Sequence, residues 1–271
     1  MLEPYEGKLS RTVLRRERGS NPSDLADYKT MCQNLGGDWI NTIGKNGQMI
    51  NPLQIKPVPL DDEDEDIKGY TDEGNGLGAM ALHIQNIRPF FKLLFPEITH
   101  NQMTLLIEHL EKLYNKFGIT WNTDISNLKN TDFPILKNLY DFLIEHIEKL
   151  ESTNTDLTDY KIVAGLLREV SIGADSEIFN GYTTVQTNSK CIVLDTFSLQ
   201  NSDERIKKAQ YYNILTYCWE QMSKDKEQKT LLVCDEAYLM ISPDCPQSLI
   251  FLRNIAKRCR KYNRSNLYNF S

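Results

Sequence analysis

The sequence predicts an α/β fold, in which helices flank a parallel sheet and a separate segment is entirely helical. Two uninterrupted apolar runs, Cys191-Ile192-Val193-Leu194 and Leu231-Leu232-Val233-Cys234, are typical of strands that are buried on both faces. A helical pattern begins at Ser202 between these runs, and another covers residues 249–259 after the second run. Strands and helices that alternate with short links indicate a parallel sheet.

Each apolar run ends in a carboxylate. Asp195 follows the first run, and the pair Asp235 and Glu236 follows the second. Open α/β sheets bind ligands at the carboxyl ends of their strands. In nucleotide hydrolases the first carboxylate of such a pair holds Mg²⁺ through water, and the second can polarise the attacking water. The alternative is that Asp235 only ends a buried strand. The adjacent Glu236 and the basic helix that follows favour the functional interpretation.

The middle of the chain carries four amphipathic patterns with helical spacing, over residues 79–95, 103–117, 136–150 and 162–170. In the first of them we expect a break at Pro89. With no credible strand between them, these patterns predict an all-α subdomain over residues 83–170. A cofactor could lie between such stripes, but packing in a core explains them better.

The first part of the chain gives weaker signals. Residues 1–26 show neither helical nor strand periodicity, and we expect a poorly ordered arm. A short helix is predicted from Tyr28 to Leu35, with Gly36-Gly37 as its C-terminal cap. Trp39-Ile40 predicts a short strand. The acidic run at 61–66 is best explained as a solvated loop.

Composition describes an ordinary globular protein of 271 residues, with 40% hydrophobic and 25% charged residues. No apolar run is long enough to span a membrane. The six cysteines form no C-x-x-C pair, which is typical of reduced, buried thiols in the cytoplasm. The four histidines show no metal-ligand spacing along the sequence, so we expect no metal site built on them.

Several motifs together resemble the traffic ATPases of conjugative type IV secretion systems, the VirB-type family. Two of them are the segment around Asp235 and Glu236 and the basic helix that follows it. The other three are shorter and occur earlier in the chain: Leu35-Gly36-Gly37-Asp38-Trp39-Ile40-Asn41, Ile50-Asn51-Pro52-Leu53 and Ile178-Phe179-Asn180-Gly181. The resemblance covers roughly residues 27–263. Each motif alone is weak, but five in the same order are quite specific.

The resemblance implies a RecA-like P-loop NTPase core, related to hexameric translocases, with an all-α insertion. It implies that residues 27–82 and 171–271 form the two parts of the core and that residues 83–170 form the insertion. It further implies ATP and Mg²⁺ as ligands and a homo-oligomer, hexameric in the family, that works with other type IV secretion components. The expected location is the cytoplasm, with peripheral contact at the inner face of the cell membrane.

The resemblance also assigns roles to three residues. Asp235, in the Walker B position, would hold Mg²⁺ through water, and Glu236 would orient the attacking water. Arg260 lies on the basic helix, from which it could reach the γ-phosphate of a neighbouring subunit's nucleotide. The alternative is that Arg260 is one of several solvated basic residues opposite the apolar face of this helix, with Arg253, Lys257 and Lys261.

The sequence also departs from this family. The Walker A pattern G-x-x-x-x-G-K-[ST] does not occur in it, so nothing obvious cradles the nucleotide phosphates. Both ends fit the family poorly, and we expect a fragment of a longer ATPase. One alternative is therefore an interaction fragment without nucleotide turnover. Another is a nucleic-acid-binding module, since residues 247–271 carry six basic and no acidic residues. The acidic pI of 5.4 argues against specific nucleic-acid readout.

The poor fit of both ends also leads to an expectation about the sheet. The Leu231–Cys234 strand would be central in a complete core, but no strand is predicted to precede it near the N-terminus or to follow Tyr262. We therefore expect an open backbone edge beside this strand, and marginal stability with self-association as a result.

Overall fold

The computed structural model describes residues 10–14, 22–43, 47–57, 78–152, 156–186, 189–199, 202–223, 230–234, 249, 253 and 265–268. The chain divides into two compact units, and each is described by itself. The first unit combines residues 1–48 and 185–271, and the second consists of residues 49–184.

A parallel sheet of five strands forms the centre of the first unit. The strands are β1 (Ser10–Leu14), β2 (Asp38–Asn41), β3 (Cys191–Asp195), β4 (Thr230–Cys234) and β5 (Ser265–Tyr268), and their spatial order is β2-β3-β1-β4-β5. All four pairings are parallel. The two strands predicted from apolar runs are therefore present as β3 and β4, and the strand at Trp39-Ile40 is present as β2.

The sheet contains two strands that the sequence did not predict. Leu14, the last residue of β1, pairs with Leu194 of β3 on one side and with Cys234 of β4 on the other. On its second side β4 pairs with β5, where Cys234 lies opposite Tyr268. The expectation that β4 has an open edge is wrong, because both of its edges are paired. The self-association was expected because of this open edge, so the structure gives no reason to expect it.

Both missed strands are short and mix polar with apolar residues, with the sequences SRTVL and SNLY. Such segments show no clear alternation of polar and apolar residues. Whether they form strands depends strongly on the neighbours against which they pair. The sequence therefore predicted a poorly ordered arm where the structure has the middle strand of the sheet.

Helices α1 (Pro22–Asn34) and α7 (Glu204–Ser223) belong to the first unit. Helix α1 packs against β2 and β3, and helix α7 lies between β3 and β4 in the chain. The buried side chains of Cys32, Cys191 and Val193 form a small core with the partly buried Trp39 and Val233.

The turn after α1 confirms the predicted glycine cap. Gly36 adopts a positive φ of 62°, a conformation that favours glycine. Gly37 is required for a different reason, because a Cβ at this residue would lie 2.6 Å from the carbonyl oxygen of Cys191. The close approach of this turn to β3 sets the path of the chain into β2.

The second unit contains no strand among its described residues. Its helices are α2 (Ala79–Leu94), α3 (His100–Lys116), α4 (Leu136–Leu150), α5 (Thr158–Ser171) and the short α6 (Ser176–Phe179), with 3-10 turns at Ile125–Asn127 and Asn130–Asp132. Helices α2 to α5 correspond to the four amphipathic patterns of the sequence. Their apolar faces are buried, for example at Leu106, Leu110, Leu139 and Leu143.

Helix α2 does not break at Pro89, contrary to the prediction. Proline removes one intrahelical hydrogen bond, and the carbonyl that loses its partner belongs to Gln85. Gln85 is exposed, so water can satisfy that carbonyl. Phe90 and Phe91, directly after the proline, are buried, and this burial favours continuation of the helix.

Helices α3 and α5 are joined at their first turns. Thr99 and Gln102 form a capping box, in which the Gln102 backbone N–H donates to the Thr99 hydroxyl and the Thr99 N–H donates to the Gln102 side chain. The amide nitrogen of Gln102 also donates to Asp159 at 2.8 Å.

Within the described part of the chain, no helix is both long enough and apolar enough to cross a membrane.

Candidate functional site

The carboxyl end of β4 is the candidate functional site, because the sequence continues from it directly into Asp235 and Glu236. Strand β4 lies in the interior of the sheet, between β1 and β5, and Leu232 and Cys234 are fully buried. Asp235, Glu236 and Arg260 lie outside the described residues, so their roles stay predictions. Arg253, on the same predicted basic face as Arg260, is exposed.

Asp195, at the carboxyl end of β3, has both side-chain oxygens engaged. One accepts a hydrogen bond from the Trp39 indole N–H at 3.2 Å, and the other accepts from the backbone N–H of Phe197 at 2.9 Å. The backbone carbonyl of Asp195 accepts from the Thr42 hydroxyl at 3.1 Å. Asp195 therefore joins the ends of β2 and β3, which is the structural role of a strand-ending aspartate.

Buried polar side chains of α7 lie beside these two strand ends. Gln210 is fully buried and its amide N–H donates to the carbonyl of Thr42 at 3.4 Å. The amide of Asn213, one helical turn later, donates to the Gln210 side chain at 3.3 Å. The hydroxyls of Thr196 and Tyr211, both buried, are 3.2 Å apart. These residues form a polar layer that aligns α7 with the carboxyl ends of β2 and β3.

Sequence reasoning missed this polar layer. The helical pattern that begins at Ser202 was assigned no polar role, although Gln210 and Asn213 are spaced by one helical turn and both are buried. Amides at that spacing on a buried face are a usable signal, because buried polar groups need hydrogen-bond partners.

Asn51 and Asn180, from two of the family-like motifs, have structural roles in the second unit. Asn51 is fully buried; its amide donates to the Pro134 carbonyl at 2.9 Å and its side-chain oxygen accepts from the Leu53 N–H. The Asn180 side chain accepts from the backbone N–H of Lys137 at 2.8 Å and donates to the Ser171 carbonyl at 2.9 Å.

The two asparagines satisfy backbone groups that would otherwise lack partners. Asn180 bonds the first turn of α4 and the last residue of α5, where helix ends leave free N–H and carbonyl groups. These two motifs therefore stabilise the helical unit through Asn51 and Asn180.

The described cysteines are free and buried, as the sequence indicated: Cys32, Cys191, Cys218 and Cys234. Burial, reinforced by the neighbouring Cys191, raises the pKa of the Cys32 thiol to about 11. Burial also raises the pKa of Cys234 well above its ordinary value. The thiols of Cys32 and Cys234 therefore stay protonated at neutral pH and are poor nucleophiles and poor metal ligands. Among the described residues, no group of three or more His, Cys, Asp or Glu side chains is arranged to hold a metal ion.

Comparison with solved structures finds a VirB4 ATPase that is similar to this chain. The structure of VirB4 from Thermoanaerobacter pseudethanolicus superposes with a TM-score of 0.79 at 35% sequence identity, over 96% of this chain and 85% of that one. No family model matches the sequence. A search of curated proteins also finds no match.

The chain has a parallel α/β sheet and is similar to VirB4 over nearly its whole length. These two findings place it in the class of VirB-type traffic ATPases. Within that class, the chain belongs to the VirB4 family. The resemblance drawn from the sequence motifs is confirmed, and with it the relationship to type IV secretion ATPases.

Proposed function

We propose that this chain contributes the residues that bind Mg²⁺ and orient the attacking water in an ATPase site of a conjugative type IV secretion system. In that system the ATPase energises DNA or protein transfer, or assembly of the machine. One observation carries the proposal: β4 is an interior strand of a parallel sheet, paired on both sides, and the adjacent carboxylates Asp235 and Glu236 follow its last residue in sequence. The carboxyl ends of such strands are where α/β sheets bind ligands.

The role of each site residue follows from the chemistry of phosphoryl transfer. Asp235 would hold Mg²⁺ through water, and the ion would neutralise charge on the nucleotide phosphates. Glu236 would accept a proton from the attacking water and orient it. Arg260 would stabilise the charge on a γ-phosphate that a neighbouring subunit binds.

The VirB4 relationship supports a wider assignment, which also belongs to the proposal. The sheet of the first unit would belong to a RecA-like core. Residues 27–82 and 171–271 would be the two parts of that core, and residues 83–170 would be the all-α insertion. ATP with Mg²⁺ would be the cofactor. The partners would be further copies of the chain, as a hexamer, and other secretion components, at the inner face of the cell membrane.

A non-catalytic interaction role is the second candidate. The observation that favours it is the lack of a G-x-x-x-x-G-K-[ST] pattern in the 271 residues. That pattern supplies the backbone amides and the lysine that hold the β- and γ-phosphates. In this case the helical unit would be the interaction surface.

A metal-binding experiment separates the two candidates. We would measure Mn²⁺ binding by electron paramagnetic resonance with ATP present, for the unmodified chain, Asp235→Asn and Asp141→Asn. Asp141 is a matched control because it forms a surface ion pair with Lys137 on α4.

The ATPase assignment predicts saturable Mn²⁺ binding in the presence of ATP, with affinity on the order of millimolar. Asp235→Asn should abolish this binding, and Asp141→Asn should leave it unchanged. Binding that is equal in all three proteins, or no binding at all, would contradict the assignment and leave the interaction role.

A further inference from the structure

Three helices of the second unit bring aromatic and imidazole rings together at one place. His109 on α3 and His146 on α4 have ring centres 4.8 Å apart, with their planes inclined by 67°. Tyr160 on α5 lies 5.6 Å from both rings. His109 is almost fully buried, whereas His146 and Tyr160 are partly exposed, so the cluster extends from the core to the surface.

His109 has one ring nitrogen without a partner. Its Nδ1 lies 2.8 Å from the carbonyl oxygen of Leu105, which can only accept, so Nδ1 carries the proton. Nε2 is then a lone-pair acceptor, and it is buried with no hydrogen-bond donor in reach. A buried polar atom without a partner is rare and destabilising, so it calls for an explanation.

We propose that His109 and His146 bind a divalent late transition-metal ion, such as Ni²⁺ or Zn²⁺, through the free Nε2 of His109 and one ring nitrogen of His146. Ring spacing supports this assignment. At a metal–nitrogen distance of about 2.0–2.1 Å, two imidazoles on one ion have centres roughly 4.5–5.2 Å apart. The observed 4.8 Å lies within that range.

The hydrogen bond to Leu105 also matches the environment of a metal ligand. Histidines that bind metals nearly always donate the second ring N–H to a carbonyl, a carboxylate or water, which fixes the tautomer and the ring orientation. His109 has this arrangement before any ion binds. The described residues supply two protein ligands, so water would complete the coordination from the exposed side of His146. Such an ion would exchange readily.

The carboxylates near the pair form ion pairs with lysines, so the imidazole ligands and not a net negative charge would hold the ion. On α3, Glu108 interacts electrostatically with both histidines, and its carboxylate also binds Lys112 at 2.7 Å. On α4, Glu145 pairs with Lys116 at 3.3 Å. Tyr160 is the titratable group of α5 that faces the rings. Burial lowers the pKa of His109, so its lone pair is free at neutral pH.

Calorimetric titration of the whole chain with Ni²⁺ tests the proposal. Nickel is the preferred probe because imidazole suits it, whereas thiols elsewhere in the chain would compete more strongly for zinc. The variant is His146→Ala, whose side chain is partly exposed. The matched control is His100→Ala, which removes an exposed histidine from the same unit.

We expect one saturable site per chain, at least tenfold weaker in His146→Ala and unchanged in His100→Ala. Binding should also weaken at acidic pH, because a metal ion binds only deprotonated imidazole nitrogens. A second measurement observes His109 without mutating it: Ni²⁺ should broaden, and Zn²⁺ should shift, the ¹⁵N resonance of its Nε2. Absence of a saturable site, equal binding by His146→Ala, or an unperturbed His109 resonance would overturn the proposal.

Discussion

Tyr114 and His83 are joined by a hydrogen bond of 2.8 Å between the phenol oxygen and Nε2, in the core of the helical unit. The phenol also lies 2.6 Å from the carbonyl oxygen of Leu53. A hydroxyl has one proton and that carbonyl can only accept, so Tyr114 donates to Leu53 and accepts from the N–H of His83. The hydrogen bond therefore places a proton on Nε2 of His83, and burial keeps the imidazole neutral.

The first prediction concerns the pH dependence of this unit. Burial, together with the charge of Lys56, lowers the pKa of His83 to about 3 from its ordinary value near 6.5. Because the folded pKa is depressed, the stability contributed by neutral His83 is complete above pH 6.5 and falls as the pH decreases towards 3. The loss at pH 5 should be about 2 kcal/mol.

Urea unfolding at pH 7 and pH 5 measures that loss. In His83→Gln the decrease between the two pH values should be smaller by about 2 kcal/mol, since the titrating group is gone. His100→Gln, which removes an exposed histidine, should behave like the unmodified chain. If the decrease is the same in His83→Gln, the buried histidine does not control acid stability.

The second prediction contrasts two glycines. Gly37→Ala should destabilise the first unit by more than 1 kcal/mol, because the new Cβ would meet the Cys191 carbonyl at 2.6 Å and the Cys32 sulfur at 2.8 Å. Gly165→Ala on α5 should stabilise by about 0.5–1 kcal/mol, since its Cβ meets nothing within 4 Å and alanine favours helix. Thermal melts of both variants give the answer. Equal shifts would mean that α1 can move away from β3 at little cost.

The third prediction tests the structural role of the Asn180 motif. Asn180→Ala should destabilise the second unit by about 1–3 kcal/mol, because the N–H of Lys137 and the carbonyl of Ser171 lose their partner. Asn115→Ala, at an exposed site on α3, should change stability by less than about 0.5 kcal/mol. Chemical denaturation followed by circular dichroism measures both. A neutral Asn180→Ala would show that water replaces the side chain there.

The fourth prediction concerns nucleotide turnover. The isolated chain should release no phosphate from Mg·ATP above background and should not bind it with micromolar affinity, because the sequence lacks the Walker A pattern. Calorimetry and a phosphate-release assay measure the two quantities. Turnover that Glu236→Gln abolishes would show that another part of the chain holds the phosphates.

The sequence predicted well wherever a segment carries its own periodic signal. The amphipathic patterns gave α2 to α5, and the apolar runs gave β3 and β4, because burial imposes a regular spacing on the residues that face a core. Five short motifs in the same order as in the VirB-type family predicted the family of this chain, and the comparison with VirB4 confirmed it. For Asp235, Glu236 and Arg260 the sequence remains the basis of the assignment.

The tertiary structure decided what no local pattern could show. Ser10–Leu14 became the middle strand of the sheet because β3 and β4, far along the chain, pair with both of its edges. His109 and His146 show no metal-ligand spacing in the sequence, yet the packing of α3 and α4 brings their rings to 4.8 Å. Periodicity in the sequence indicates which face of a segment is buried. Strand pairing and side-chain clusters depend on which distant segment packs against that face.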